Sequence, residues 1–267
     1  MSQSHPSAVI HPSAVIEEGA KIGKGCQIGP FCHIGPEVVL GERVTLKSHV
    51  VVTGDCEIGD DTVVFSFAVI GEIPQDLKFQ GEKSRTVIGQ RNRIREHVTV
   101  NAGTEGGGGV TRIGDDGLFM AGCHIAHDAI VGDRGIVGNS AAVAGHCVLE
   151  DDVIIGGLSG IHQWVRIGRG AIIGAVTMVT NDVIPYGLVQ APRGGLDGLN
   201  LVGLKRRGVT RSDITALRAA FQMLAQGDGT FQERARRLGD ETESPYVAEI
   251  VAFITGETDR SFLTPGA

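Results

Sequence analysis

Residues 5–10 and 11–16 are the same six letters, HPSAVI, and the period outlives the identity. Steps of six from Ile10 land on Ile16, Ile22, Ile28, Ile34, Leu40, Leu46, Val52, Ile58, Val64 and Ile70. After a gap they land on Ile88, Ile94 and Val100. One residue out of phase, they run from Ile113 through Phe119, Ile125, Val131, Val137, Val143, Leu149, Ile155, Ile161, Ile167 and Ile173 to Val179. Only Phe119 in this series is not Ile, Leu or Val. So short a repeat cannot bury an apolar face alone; it must stack on copies of itself, which makes the chain a solenoid. Three hexads close one triangular coil of 18 residues, so residue n lies beneath n+18 at the ~4.8 Å spacing of paired strands.

Four residues after each aliphatic stands something small: Ala14, Ala20, Cys26, Cys32, Cys56, Cys123, Ala129, Ala141, Cys147, Ala171. All five cysteines fall in this register, so they read as filling for a narrow core rather than as metal ligands or disulfides. Glycine, 40 of 267 residues, is about twice its usual ~7%. That suits repeated tight turns and excludes a helical bundle. Two breaks interrupt the ladder. Between Ile70 and Ile88 the inward register would bury Asp76 and Glu82, so this segment is expected to leave the prism as a loop. Between Val100 and Ile113 the run Gly106–Gly109 makes a second excursion; it lacks the Lys-Ser/Thr ending of a phosphate loop.

Beyond Asn181-Asp182-Val183-Ile184-Pro185 the pattern changes, first to an irregular stretch and then to helix. Ile214, Leu217, Phe221 and Leu224 have helical spacing, Thr230-Phe231-Gln232-Glu233 is a capping box, and Ser244-Pro245 opens a third helix. These helices are expected to cover an end of the solenoid, whose edges would otherwise stand open. A net charge of −7 gives no reason to expect nucleic-acid binding. No apolar run approaches the ~20 residues of a membrane span, and the N-terminus does not read as a signal peptide, so a cytoplasmic protein is expected.

The chemistry concentrates in Cys123-His124-Ile125-Ala126-His127-Asp128. Histidine is the side chain whose ordinary pKa lets it exchange a proton at cellular pH. His124, His127, His146 and His162 fall within three successive coils, with Gly145 over His127 and Gln163 over Gly145. Two readings follow. Three histidines and a water make a catalytic zinc set, as in the gamma-class carbonic anhydrases, a β-helix family. Alternatively one histidine is the base of a metal-free acyl transfer.

Other pieces favour the second reading. His124-Ile125-Ala126-His127-Asp128, Gly145-His146, His162-Gln163, Gln75-Asp76-Leu77-Lys78, Asn92-Arg93-Ile94-Arg95-Glu96 and Gly203-Leu204-Lys205-Arg206-Arg207-Gly208 together resemble the UDP-N-acetylglucosamine O-acyltransferases, which start lipid A synthesis in Gram-negative bacteria. The resemblance covers nearly the whole chain. It implies an all-β solenoid plus α, a left-handed parallel β-helix over 1–190 with loops at about 72–86 and 102–112, then a helical domain over 191–267. The general crossover rule favours the right hand, so the handedness rests on the resemblance.

The resemblance further implies a homotrimer with active sites between adjacent prisms. His127 is then the general base on the sugar 3-hydroxyl, which attacks an (R)-3-hydroxyacyl thioester on acyl carrier protein. Asp128 supports the imidazole, and the Gly145 N–H stabilises the oxyanion. Neighbouring strand residues point to opposite faces, so a His127–Asp128 contact requires a turn. No cofactor or metal is implied. Asp76, Lys78, His124, His146, Gly157, His162 and Gln163 are implied to contact the sugar nucleotide or position the acyl group, and Asn200, Arg206 and Arg207 to hold the uridine diphosphate. Ala175 lies where acyl length is measured, one methyl implying a somewhat shortened chain. Arg193, near the acyl end, replaces a common histidine, and Val202 a common glutamate. Acyl carrier protein, being acidic, is matched by Arg211, Arg218, Arg234, Arg236 and Arg237, which serve equally as plain helix surface. The N-acyltransferases of the same pathway carry a uridine-binding domain ahead of their hexads, whereas these hexads begin at residue 5. A nonenzymatic scaffold would explain the ladder but not the histidines, and a 3-amino acceptor stays open.

Overall fold

The computed structural model describes residues 3–190 and 195–265. Each hexad contributes a short strand that pairs, in parallel, with the strand one coil above: Ile22 with Leu40, Ile28 with Leu46, Ile34 with Val52. The result is a triangular prism of three sheets with nine, eleven and nine strands. From Ile22 to Val179 every aliphatic of the ladder, and Phe119, is at most 3% exposed. The five cysteines are buried and free. Burial pushes the Cys123 and Cys147 thiols up to about 12, which keeps them from ionising as nucleophiles.

The two breaks appear as jumps in pairing. Ile58 pairs with Ile88 and Ile70 with Val100, and then Ile88 with Ile113 and Val100 with Ile125. The excursions are shorter than the sequence pattern suggests: strands resume at Arg85–Ile88 and Val110–Ile113. Thr86 and Thr111 belong to the prism because they stack in one column on the Cys56 position, where a small side chain fits. Both loops leave the third sheet, the one that carries His124–Ile125.

One backbone feature organises all three corners. Every non-glycine residue between Phe31 and Tyr186 with positive φ stands three places after a core aliphatic. Left-handed backbone costs a residue with a Cβ roughly 1–2 kcal/mol. The cost is offset because most of these N–H groups donate to a carbonyl of the coil below, as from His146 to His127 O, 3.1 Å, and from Trp164 to Gly145 O, 3.2 Å, while those of Phe31 and Asp128 donate to the hydroxyls of Ser13 and Thr111. Side chains at this place form columns along the corners. On the first corner Arg43 pairs with Asp61, Arg91 with Asp116 and Arg134 with Asp152. The second stacks Phe31, His49, Phe67 and His97. The third holds Asp128, His146 and Trp164. With the three sheets and these turns, the chain forms a left-handed parallel β-helix.

The irregular stretch after the ladder is partly regular. Gly187–Gln190 extends the second sheet, and Gly195–Leu199 returns antiparallel along it and ends the pairing. Four helices follow: α1 (Leu201–Arg206), α2 (Arg211–Ala225), α3 (Phe231–Glu241) and α4 (Pro245–Thr255). The Thr230–Glu233 capping box is present, and Pro245 opens α4. In α2 the buried stripe is Ile214, Leu217, Ala220 and Leu224; Phe221 lies half-buried beside it. The helices share a second apolar cluster with Ile184, Tyr186, Leu196 and Leu199. The C-terminal segment then returns to the prism, where the Leu263 N–H donates to Asp182 O at 2.8 Å. Among the described residues no helix is long and apolar enough to cross a membrane.

Candidate active site

His127 and Asp128 are the two corner residues after the strand His124–Ile125. Asp128 has φ 59°, so the chain turns between them and the carboxylate folds back beneath the imidazole. His127 Nδ1 lies 2.8 Å from Asp128 Oδ2. Both side chains are almost wholly removed from solvent, at 7% and 0% exposure. A buried carboxylate needs donors, and three are supplied. Thr104 donates its N–H to Oδ1 at 2.8 Å and its hydroxyl to Oδ2 at 2.6 Å; the His127 ring gives the third. Because Asp128 takes the proton on Nδ1, the lone pair of His127 falls on Nε2. Nε2 has no partner among the described residues.

Gly145 lies directly over this ring. A Cβ at that position would stand 2.5 Å from Cε1 and 2.6 Å from Nε2, so only glycine leaves the imidazole its place. The Gly145 N–H meets no acceptor among the described residues. His146 follows, its ring edge-on to His127 with centroids 4.9 Å apart and stacked on Trp164 at 3.8 Å. Burial lowers the pKa of His146, and that of His124, from the ordinary histidine value, with the His127 charge adding to it in both. His124 is held by Thr99, Oγ1 to Nδ1 2.7 Å.

The two loops wall off a cleft of about 520 Å³ above this corner. Asp76 and Lys78 line it from the first loop, Thr104 and Glu105 from the second, and His146 and Trp164 from the prism. Of the predicted residues Asp76, Lys78 and His146 line the cleft, while His127, Asp128 and Gly145 adjoin His146 without lining it. His162 and Gln163 stand one coil higher and exposed, with Arg260 3.4 Å from His162 Nδ1. Gly157 and Ala175 occupy a different corner, after strands of the second sheet, beside exposed Leu158 and Val176. Asn200 caps α1 through Gly203 N–H and donates to Gly170 O; Arg206 and Arg207 are exposed at that same end of the prism. None of these three lines the cleft. Arg193 lies outside the described residues.

Sequence reasoning missed Thr104 and Trp164. Trp164, the one tryptophan in a chain with 4% aromatics, directly follows His162-Gln163, which was signal enough. Thr104 carried no signal, since its link to Asp128 runs through a loop. The atoms of His127, Asp128 and His146 that can ligate a metal lie within 4.8 Å of one another. A cation there would have to displace the His127 and Thr104 protons from the Asp128 carboxylate.

Comparison with known proteins agrees with this geometry. Residues 182–263 match the family model described as UDP-N-acetylglucosamine O-acyltransferase, domain 2, and residues 5–36 and 19–54 match bacterial transferase hexapeptide repeats. An acyl-[acyl-carrier-protein]–UDP-N-acetylglucosamine O-acyltransferase of Paracoccus denitrificans is 69% identical over 204 residues, 76% of this chain and 77% of that protein. The protein of that name from Agrobacterium fabrum is 42% identical over 82% of this chain and 81% of its own. The solved structure of UDP-N-acetylglucosamine acyltransferase from Campylobacter jejuni superimposes with a TM-score of 0.90 and 40% identity, covering 96% of this chain and 99% of that one. With relatives 69% and 42% identical over 76% and 82% of its length, and a solved structure superimposing over 96% of it, the chain belongs to the acyl-[acyl-carrier-protein]–UDP-N-acetylglucosamine O-acyltransferase family.

Proposed function

We propose that the chain moves an (R)-3-hydroxyacyl group from acyl carrier protein to the 3-hydroxyl of UDP-N-acetylglucosamine, the first step of lipid A biosynthesis. One observation carries the mechanism: a buried imidazole whose Nδ1 meets Asp128 and whose Nε2 is free beside Gly145, a residue whose own N–H is also free among the described residues. Nε2 takes the proton of the sugar 3-hydroxyl as its oxygen attacks the thioester carbonyl. The negative charge on the former carbonyl oxygen accepts the Gly145 N–H. Collapse breaks the carbon–sulfur bond, and the departing thiolate recovers the proton from Nε2. Asp128 stabilises the imidazolium in between. The His124 and His146 imidazoles, kept neutral by burial, serve as hydrogen-bonding groups toward substrate rather than as competing bases. No thiol is exposed to act as a nucleophile, so the acyl group passes directly from donor to acceptor.

Ala175 and Gly157 join His127 in one site only if two chains meet, since a single prism holds them on separate corners. A homotrimer with its clefts between prisms satisfies this, with the exposed Leu158 and Val176 covered by a neighbour. Asn200, Arg206 and Arg207 at the prism end are the proposed hold on the uridine diphosphate, although the Asn200 amide already caps a helix. The cytoplasm is the proposed place of this reaction.

The test is transfer of labelled 3-hydroxyacyl groups from acyl carrier protein to UDP-N-acetylglucosamine, with and without chelator and beside its 3-amino analogue. Chelator-insensitive ester formation is expected. Activity lost to chelator and restored by zinc would return the His127–Asp128–His146 group to a metal role.

A further inference from the structure

The glycine-rich second loop lacks the Lys-Ser/Thr ending and following helix of a phosphate loop, and the reaction scheme gives it no task beyond walling the cleft. Its packing supplies one. Thr104 is 6% exposed and gives the Asp128 carboxylate two of its three donors. Asp128 receives the third from His127, and its own N–H donates to Thr111 Oγ1 at 2.8 Å, below it in the prism. His146 Nδ1 faces Oδ2 from above at 3.6 Å. The loop lies so close to the carboxylate that a Cβ on Gly107 would fall 2.1 Å from Asp128 Cγ. The short 3-10 turn Glu105–Gly107 continues directly from Thr104, and Glu105 and Gly106 border the substrate cleft.

We infer that Thr104 is a positioning residue for this reaction, the third member of a Thr104–Asp128–His127 relay, and that the glycine run exists to let its loop close on the carboxylate. The inference rests on His127 being the base. The Thr104 hydroxyl and amide fix the rotation of the carboxylate, so that Oδ2 meets Nδ1 in line and Nε2 is held toward the acceptor hydroxyl. They also spread the carboxylate charge, which limits how strongly Asp128 retains a proton on the imidazole. Because the same loop borders the cleft, a sugar nucleotide seated against Glu105 and Gly106 presses on the element that aligns the base.

Thr104→Val keeps the shape and the backbone donor but removes the hydroxyl; Thr104→Ser restores it. The valine variant is expected to lower kcat about 10- to 100-fold, in the range of losses from removing an outer hydrogen-bond partner. KM for either substrate should stay within about threefold, since the hydroxyl is committed to Asp128 at 2.6 Å. The acidic limb of its pH–kcat profile should move to higher pH, because the less delocalised carboxylate holds the imidazolium proton more tightly. Thr104→Ser should recover most of the rate. Gly107→Ala, which moves the whole loop off the carboxylate, should reproduce the valine phenotype. His127→Ala, run alongside, separates the two claims. If it loses activity while Thr104→Val keeps wild-type kcat and pH profile, the relay is wrong and the base stands. If it retains activity, the base assignment and the relay fall together. A serine variant as slow as valine would also overturn the relay.

Discussion

His127 and Asp128 adjoin in sequence, and in an extended strand their side chains would diverge. They meet because Asp128 takes a left-handed turn that the corner imposes on whatever residue stands there. The sequence showed the pair and the need for a turn, but not that the turn is a property of the position rather than of aspartate. Gly145 was legible as the residue above His127 because the 18-residue stack is regular in this part of the chain. Thr104 was not legible, because it stands 24 residues before Asp128 on a loop that leaves the regular stack. Two predictions belong at this scale. Gly145→Ala should lower kcat by about 10² or more, the effect of displacing a catalytic group by roughly an ångström, with little change in melting temperature; steady-state kinetics beside a thermal melt checks it. The depressed His124 and His146 pKa values bear on stability. Above the unfolded value of ~6.5 both states are neutral and the imidazoles cost nothing. As pH falls below it, the unfolded chain takes up protons that the folded chain resists, so stability declines until the folded values are reached. Melts at pH 7.5 and 5.5 should show a drop that His124→Asn/His146→Asn reduces; an unchanged drop in that variant contradicts it.

Most of the strands are two residues long, and no propensity argument could stabilise them singly. They exist because the ladder stacks aliphatic on aliphatic, and that period was readable throughout. The one departure, Phe119, is wholly buried between Ile94 and Val137 in its column. Phe119→Ala should cost about 3–5 kcal/mol and Phe119→Leu less than about 2, measured by chemical denaturation. Equal effects would mean that the coils collapse around the lost volume. The pairing of Gly187–Gln190 with Gly195–Leu199 escaped the sequence because its one hexad step, Val183 to Val189, is out of phase with the ladder that ends at Val179. Corner columns escaped it too: the Arg–Asp, Phe–His and Asp–His–Trp series become visible only when the turn position is known. Asp128 of the proposed catalytic pair stands in the third of these columns, so the site is a variation on how every corner is built.

At the scale of the molecule, the prism keeps the His127 corner and the Ala175 corner apart, and the helical end places Arg206 and Arg207 at a third location. A shared site therefore requires assembly. Chains carrying His127→Ala and chains carrying Ala175→Trp should each be poor catalysts of long-chain transfer. Unfolded together and refolded as mixed assemblies, they should regain activity, because one site then draws an intact His127 from one chain and an intact Ala175 from another. No gain on mixing would place both residues in sites within single chains.

The central claim is that His127 is the base, and single-turnover acyl transfer by His127→Ala tests it most directly. With substrate binding and melting temperature preserved, the rate should fall by ~10²–10⁴ across pH 6 to 9. A variant that keeps its shape and transfers acyl groups at the wild-type rate would contradict it.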